Sequence, residues 1–293
     1  MKTNIFFFLL SILIAKTNVI SQETPAFKVE VHGSGPAMYL LPGAACSGEV
    51  WQATVKKYRS THRLHVFTLA GYAGITPLAS DSILPVLKDS LVTYIKRTKT
   101  ENSILMGHSV GGFLAMWMAA ENKQLVDKLI IVDALPFLAG ASAPQMTEAV
   151  AKNAYSMMKT YFTSLDSTSF AITQNMTIKS MLKNEDFLEA LIGQSMRSDR
   201  RTLGTTMYEL MSTDLRDDVS EIEVPGLVLT GWMDEINSTE NEKLNEKLNI
   251  YKDQYHQWKS ATLVVVENAS HFIMLDNANA FFAEIDAFIA NLD

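Results

Sequence analysis

The sequence predicts an α/β protein with a mostly parallel central sheet covered by helices on both faces. Short uninterrupted runs of Val, Ile and Leu alternate along the chain with longer segments of helical spacing. Buried parallel strands have this continuously apolar character, because both of their faces are covered. The 293 residues, 47% hydrophobic and 19% charged, are typical of one globular domain with a large core.

The elements follow one another in a regular order. The predicted strands occupy residues 27–31, 38–41, 64–67, 103–106, 129–132, 226–230 and 263–266. The predicted helices occupy residues 51–58, 81–95, 113–120, 251–259 and 277–292. In the second helix, apolar side chains recur at Ile83, Leu87 and Leu91, the spacing of one buried helical face.

The alternation of strand and helix stops between Leu135 and Ser220, where the pattern is helical throughout. We therefore expect a core formed by residues 22–134 and 221–293, with residues 135–220 inserted as a helical cap over the carboxyl ends of the strands. The cap is rich in methionine, whose flexible side chain suits apolar ligands of variable shape; packing of the cap on the core is the alternative explanation. These methionines are Met146, Met157, Met158, Met176, Met181, Met196, Met207 and Met211.

The N-terminus resembles a signal peptide. Lys2 precedes an uncharged apolar run from Ile5 to Ala15. Val19-Ile20-Ser21 then provides a small-residue cleavage site before Gln22. The apolar run is too short to span a bilayer comfortably, so we expect residues 1–21 to be removed on export to a secreted or periplasmic location. An uncleaved membrane anchor is the alternative. The chain has a single cysteine and therefore forms no intramolecular disulfide.

The charge pattern excludes several kinds of partner. The net charge is −7 and no basic cluster occurs, so we expect neither nucleic acid nor stable membrane insertion after signal removal. We expect no metal and no cofactor, because the sequence contains neither metal-ligand spacing nor a glycine-rich phosphate loop. A small-molecule substrate remains as the expected partner, and the sequence leaves the oligomeric state open.

The sequence around Ser109 is typical of a nucleophilic serine. Ser109 lies in Gly107-His108-Ser109-Val110-Gly111, between an apolar strand and a buried helix. A serine on a sharp strand-to-helix turn has a strained backbone and an exposed hydroxyl, and neighbouring glycines avoid Cβ clashes. The helix N-terminus also directs free N–H groups towards an oxyanion. We therefore predict Ser109 as the nucleophile.

A serine hydroxyl needs a base and a carboxylate that orients the base. His271 follows the last predicted strand, at the same sheet edge as Ser109, and is the predicted base. Asp234 follows the preceding strand and is the predicted acid, placed to reach Nδ1 of His271. Asp133, which ends the strand before the insertion, is the alternative, and Glu235 is a third candidate.

These residues, in the order nucleophile, acid and base, resemble the α/β-hydrolase superfamily, and the resemblance extends over residues 26–292. It implies an α/β-hydrolase fold with a catalytic triad of Ser109, Asp234 and His271. An aspartate takes the place of the serine in the dehalogenase and epoxide-hydrolase branches, so the resemblance does not imply their reactions.

The resemblance also implies an oxyanion hole made from two backbone N–H groups. One belongs to Val110, the residue after the nucleophile. The other belongs to Ala44, in the loop Pro42-Gly43-Ala44-Ala45 after the second predicted strand, with Ala45 as the alternative. Many members carry His-Gly where this chain has Pro-Gly, but a backbone donor does not depend on that side chain.

The expected activity is hydrolysis of carboxylic esters with small or medium, largely apolar chains. The same triad also serves C–C bond hydrolases and amidases or aminopeptidases. A feebly catalytic ligand-binding protein of the same fold is the non-enzymatic alternative, because fold resemblance alone does not fix function.

Overall fold

The computed structural model describes residues 20–23, 25–234 and 242–290. An eight-stranded sheet with the order β1-β2-β4-β3-β5-β6-β7-β8 forms its centre. Strand β2 is antiparallel to β1 and β4, and every other neighbouring pair is parallel. The strands are β1 (Ile20–Glu23), β2 (Phe27–His32), β3 (Ala37–Leu41), β4 (Arg63–Leu69), β5 (Ile104–His108), β6 (Lys128–Val132), β7 (Gly226–Trp232) and β8 (Ala261–Glu267). The predicted α/β class with a mostly parallel sheet is confirmed.

Helices surround the sheet and fill the segment between β6 and β7. The α-helices are α1 (Gln52–Tyr58), α2 (Leu84–Thr98), α3 (Val110–Glu121), α4 (Glu148–Ala154), α5 (Met158–Ser164), α6 (Ser167–Met181), α7 (Leu188–Met196), α8 (Arg200–Ser212), α9 (Glu242–Tyr255), α10 (Ile273–Asp276) and α11 (Ala278–Ala290). Short 3-10 helices occupy Gly48–Trp51, Leu138–Ala141, Glu185–Phe187 and Asp218–Glu221.

Several helix boundaries differ from the predicted ones, among them the start of α2 and the end of α9. Helix α2 begins at Leu84 rather than Asp81, because Pro85 lacks an N–H and fits only in the first helical turn. Helix α9 ends at Tyr255, so His256 lies in the following turn instead of inside a helix.

The sheet buries a hydrophobic cluster on each face. In β3, Met38 and Leu40 belong to one cluster, whereas Tyr39 and Leu41 belong to the other. Side chains alternate between the two faces of a strand, so every residue of β3 is buried. This two-sided burial explains why the strands have the continuous apolar runs seen in the sequence.

The segment between Leu135 and Ser220, which we call the insertion, is attached to the core by buried polar contacts. Glu209 of α8 accepts hydrogen bonds from the backbone N–H groups of Ile83 and Leu84, at 2.7–3.1 Å, at the start of α2. Such a carboxylate satisfies N–H groups that have no acceptor within the helix. The insertion is thereby fixed to one side of the core.

The parallel register brings three loops to one edge of the sheet. His108 pairs with Val132, so Ser109 and Asp133 are the first residues beyond two adjacent strands. Leu41 pairs with Gly107, which places the loop after β3 beside the same serine. Neighbouring parallel strands therefore deliver their carboxyl ends to one place, where ligands bind in open α/β sheets.

The N-terminal prediction falls mostly outside the described residues. Of the predicted signal peptide, residues 1–21, only Ile20 and Ser21 are described, and both belong to β1. The sequence analysis did not predict this four-residue edge strand. Within the described ranges, no helix combines the length and apolar character needed to cross a membrane.

Candidate active site

The backbone at Ser109 is strained, as the motif predicts. Its φ of 54° and ψ of −121° are unfavourable for any residue with a Cβ. The turn is possible because its neighbours are glycines. A Cβ on Gly107 would lie 2.2 Å from the carbonyl oxygen of Gly111, and one on Gly111 would lie 2.4 Å from that of Leu41. This packing leaves Ser109 partly accessible within an otherwise buried stretch.

His271 lies in the loop after β8, next to Ser109 in the wall of one cavity. Its backbone N–H donates to the carbonyl of Met181 at 3.1 Å, which ties the loop to the end of α6. Its backbone carbonyl accepts a hydrogen bond of 3.0 Å from Nε2 of His108, and the two rings lie 4.5 Å apart. The loop that carries the predicted base is thus held from both sides.

The carboxylate beside His271 belongs to Asp133. Its Oδ2 lies 2.8 Å from Nδ1 of the His271 ring. Its Oδ1 accepts hydrogen bonds from the hydroxyls of Thr230 and Tyr251, both at 2.9 Å, and from the N–H of Gly231 at 3.3 Å. A carboxylate with this many donors has a fixed orientation and can orient the imidazole in turn.

The same contacts keep Asp133 ionised. Burial raises the pKa of this carboxyl, but the opposing effects of His271, Lys247 and Thr230 are together larger and hold the pKa well below its ordinary value. The Lys247 ammonium lies 3.7 Å from Oδ1. An ionised carboxylate only accepts hydrogen bonds, so Nδ1 of His271 carries the proton. In the neutral form of a ring with that proton, Nε2 is the nitrogen with a free lone pair.

The prediction that Asp234 reaches Nδ1 of His271 is wrong. Strand β7 continues to Trp232, three residues past Leu229, which pairs with Val132 of β6, so Asp234 lies further along the strand direction than Asp133. The Asp234 side chain is exposed, whereas Asp133 occupies the position beside Nδ1. Glu235, the third candidate, lies outside the described residues.

A signal in the sequence favoured Asp133. It directly follows β6, just as Ser109 directly follows the adjacent strand β5. Both residues have positive φ, 45° for Asp133 and 54° for Ser109. The polypeptide therefore turns sharply after β5 and after β6, at the same level of the sheet. Asp234 is separated from the end of β7 by Met233. How far Asp234 lies from the sheet edge could be judged only from the length of β7.

The loop predicted to complete the oxyanion hole lies against Ser109. A Cβ on Gly43 would come within 3.1 Å of the Cβ of Ser109. Val110 begins α3, so its N–H has no acceptor inside the helix. Within the described part of the chain, neither Val110, Ala44 nor Ala45 donates its backbone N–H to a hydrogen bond. All three line the cavity with Ser109, so either alanine can act with Val110.

Two other side chains near the site are neutral. Burial, and then the neighbouring His271, lower the pKa of His108 well below its ordinary value, so its ring stays neutral and donates from Nε2. Burial raises the pKa of the Cys46 thiol to about 12. That thiol is therefore unreactive at neutral pH and serves as a small packed side chain.

The cavity above Ser109 has a volume of about 630 Å³, within the usual range for small-molecule sites. Among the described residues that line it, Asp133 is the only acidic one, and no Lys or Arg lines it. Two of the eight methionines highlighted in the insertion, Met181 and Met207, line the cavity. Met157 and Met176 are instead exposed, so only part of the methionine enrichment concerns a ligand.

A strained serine, a histidine and a carboxylate thus lie at the carboxyl edge of a mostly parallel sheet, in a protein of the α/β class. The model of the Alpha/beta hydrolase family matches residues 38–285, and the chain belongs to that family.

Several known proteins are similar over nearly their whole length. A pimeloyl-[acyl-carrier protein] methyl ester esterase from Vibrio atlanticus is 26% identical over 263 residues, covering 88% of this chain and 96% of that protein. A hydrolase structure from Pseudomonas aeruginosa matches with a TM-score of 0.71 at 16% identity, covering 94% and 99% of the two chains. An esterase structure from Exiguobacterium antarcticum matches with a TM-score of 0.69 at 18% identity, covering 90% and 96%. The structural likeness at this identity concerns the fold.

Proposed function

We propose that the protein is a carboxylic-ester hydrolase that uses Ser109 as nucleophile and His271 as base. The observation that carries the proposal is the contact of 2.8 Å between Asp133 and Nδ1 of His271, which leaves Nε2 available in the cavity that Ser109 also lines. Similarity to pimeloyl-[acyl-carrier protein] methyl ester esterases supports ester hydrolysis.

The proposed cycle uses only groups in this site. The Oγ of Ser109 attacks the ester carbonyl while its proton passes to Nε2 of His271, and the carbonyl oxygen becomes an oxyanion. The N–H groups of Val110 and of Ala44, or alternatively Ala45, stabilise that charge. Collapse of the tetrahedral intermediate breaks the bond to the alcohol, which takes the proton from His271. Water, deprotonated by His271, then releases the acid, and Asp133 stabilises the imidazolium in both steps.

The cavity wall supports an uncharged, largely apolar substrate. A charged substrate group would lose its hydration without gaining an opposite charge, which is unfavourable. An aminopeptidase needs a carboxylate for the substrate ammonium group. Asp133, the only acidic residue among the described lining residues, is already engaged by His271. This argues against that alternative.

We further propose that the insertion acts as a cap and that the protein is exported. Residues of α5, α6, α7 and α8 line the cavity that contains Ser109, which supports the role as a cap. The apolar run after Lys2 supports export. N-terminal sequencing of the mature protein tests the second proposal, and an intact Met1 on exported material contradicts it.

Replacing Ser109 by alanine tests the hydrolytic proposal. We expect Ser109→Ala to lower kcat for a short p-nitrophenyl ester by about 10³-fold or more, because the covalent route is lost. Initial rates on purified protein measure the effect.

Thr173→Val provides the control for this experiment, since it removes a hydroxyl from the same cavity, from Thr173 of α6, without touching the nucleophile. Unchanged turnover in Ser109→Ala, or faster wild-type hydrolysis of a diketone or an aminoacyl amide than of any ester, would contradict the proposal.

A further inference from the structure

A hydrogen-bonded polar pair lies in the largely apolar wall of the cavity. Gln174 of α6 and Ser195 of α7 both line it, although their side chains are almost fully inaccessible, with 6% and 1% of their surface exposed. The Ser195 hydroxyl donates to Oε1 of Gln174 at 2.5 Å. This bond fixes the amide, so that its NH₂ group is left without a hydrogen-bond partner among the described residues.

A second buried glutamine has no such unused donor. Gln194 accepts from the N–H of Ser47 at 2.8 Å and donates to Glu49 at 2.9 Å, so both ends of its amide are satisfied. Buried amide groups are generally hydrogen-bonded, because leaving one unpaired is costly. The NH₂ group of Gln174, which has no partner among the described residues, is therefore available to a ligand in the cavity that Gln174 lines.

The position of Gln174 along α6 sets its distance from the chemistry. Met181, at the end of α6, accepts the backbone N–H of His271. Gln174 precedes Met181 by seven residues in the same helix, which corresponds to roughly 10 Å at 1.5 Å per residue. A substrate chain that runs along α6 from Ser109 would therefore pass Gln174 well beyond its ester group.

We propose that Gln174 and Ser195 form a subsite for a neutral hydrogen-bond acceptor, a keto or second ester oxygen, carried far along the substrate chain. The inference rests on the proposed ester hydrolysis and specifies which esters are preferred. The acceptor is neutral because no Lys or Arg lines the cavity among the described residues. The substrate group must be a hydrogen-bond acceptor, because the unpartnered end of the Gln174 amide is its NH₂ donor.

The test compares two methyl esters of one chain length in the same enzyme. They are methyl octanoate and its analogue with a ketone at the penultimate carbon. We expect the wild type to favour the keto ester in kcat/KM by about tenfold, the value of one hydrogen bond to a buried donor. Gln174→Met, which keeps the side-chain volume but removes the donor, should bring the ratio close to one. This ratio does not depend on the amount of active protein.

Thr173→Val is the matched control. Thr173 lines the same cavity, but its hydroxyl donates to the carbonyl of Ser169 at 2.8 Å and is not a free donor. We expect it to retain the wild-type ratio. If Gln174→Met does not fold, Ser195→Ala provides the second reading, because loss of the orienting hydroxyl should lower the ratio in part.

Three results would overturn the subsite and leave the hydrolytic function standing. They are a kcat/KM ratio of keto ester to plain ester near one in the wild type, a ratio that Gln174→Met leaves unchanged, and a ratio that Thr173→Val lowers equally. The half-ester of octanedioic acid, which carries a carboxylate, should be a poorer substrate than the keto ester; the reverse order also overturns the proposal. Failure of the wild type to hydrolyse either methyl ester contradicts the proposed function itself, and the subsite with it.

Discussion

At the scale of the residue, the position of Asp133 determines how His271 can act. The carboxylate accepts from Nδ1 of His271 through one oxygen and from the hydroxyls of Thr230 and Tyr251 through the other. These contacts hold the carboxylate in place and fix the tautomer of the ring. Asp133 therefore acts through His271, as a positioning residue for the base.

The first prediction separates Asp133 from Asp234. Asp133→Asn should lower kcat/KM for an ester by about 10³- to 10⁴-fold, because an amide no longer fixes the tautomer that leaves Nε2 unprotonated. Asp234→Asn alters an exposed side chain and should change the rate by less than about twofold. Steady-state kinetics on both variants, with unfolding curves as a control for stability, measure the difference. The opposite ranking would restore Asp234 as the acid.

The residues predicted from the sequence as nucleophile and base line one cavity, but the carboxylate beside the base is not the one predicted. Ser109 is marked by a local motif whose glycines are needed for the turn, and His271 follows the last strand directly enough to be assigned. The choice between Asp133 and Asp234 depends on how far β7 extends beyond β6. Strand length is decided by hydrogen bonding to β8, a contact between distant segments that no local pattern encodes.

At the scale of the element, β4 contains a histidine that couples the fold to pH. His65 is 2% exposed, its Nδ1 lies 2.8 Å from the Tyr94 hydroxyl, and its Nε2 has no hydrogen-bond partner. Burial, reinforced by Arg63, lowers its pKa from 6.5 to about 4. Because the folded pKa is depressed, the unfolded chain binds the proton first. The stabilising contribution is complete above about pH 6.5 and is lost as the pH falls towards 4.

We predict that replacing His65 flattens this dependence. Between pH 7.5 and pH 4, titration of His65 should lower the free energy of unfolding by about 2 to 3 kcal/mol. In His65→Gln that part of the decrease should be absent. Urea unfolding at the two pH values measures it. His256→Gln, which removes an exposed ring, is the matched control, and an equal flattening there would show that His65 is not responsible.

Strands that are buried on both faces of the sheet could be predicted from the sequence. Strands such as β3 and β6 are buried at every residue, so their apolar runs identify them directly. Strand β1 was missed because it has only four residues at the sheet edge. The start of α2 was misplaced by three residues because a proline in the first turn, rather than the hydrophobic spacing, determines it.

At the scale of the whole molecule, the site is a cavity between the sheet edge and the insertion. The sequence indicated a helical insertion rich in methionine, but not which side chains face the core. Met181 and Met207 line the cavity, whereas Met157 and Met176 are exposed. That difference depends on how each helix is rotated about its axis, which is set by packing between helices far apart in the sequence.

In the proposed mechanism, Ser109 is activated by His271 and carries the covalent chemistry. Reaction with a fluorophosphonate, followed by intact mass measurement and peptide mapping, tests this most directly, because the reagent bonds to an activated serine hydroxyl. We expect one label per chain, on the peptide that contains Ser109, no label in Ser109→Ala, and much slower labelling in His271→Ala. Labelling of Ser109→Ala at the wild-type rate, or a wild-type label on another residue, would contradict this mechanism.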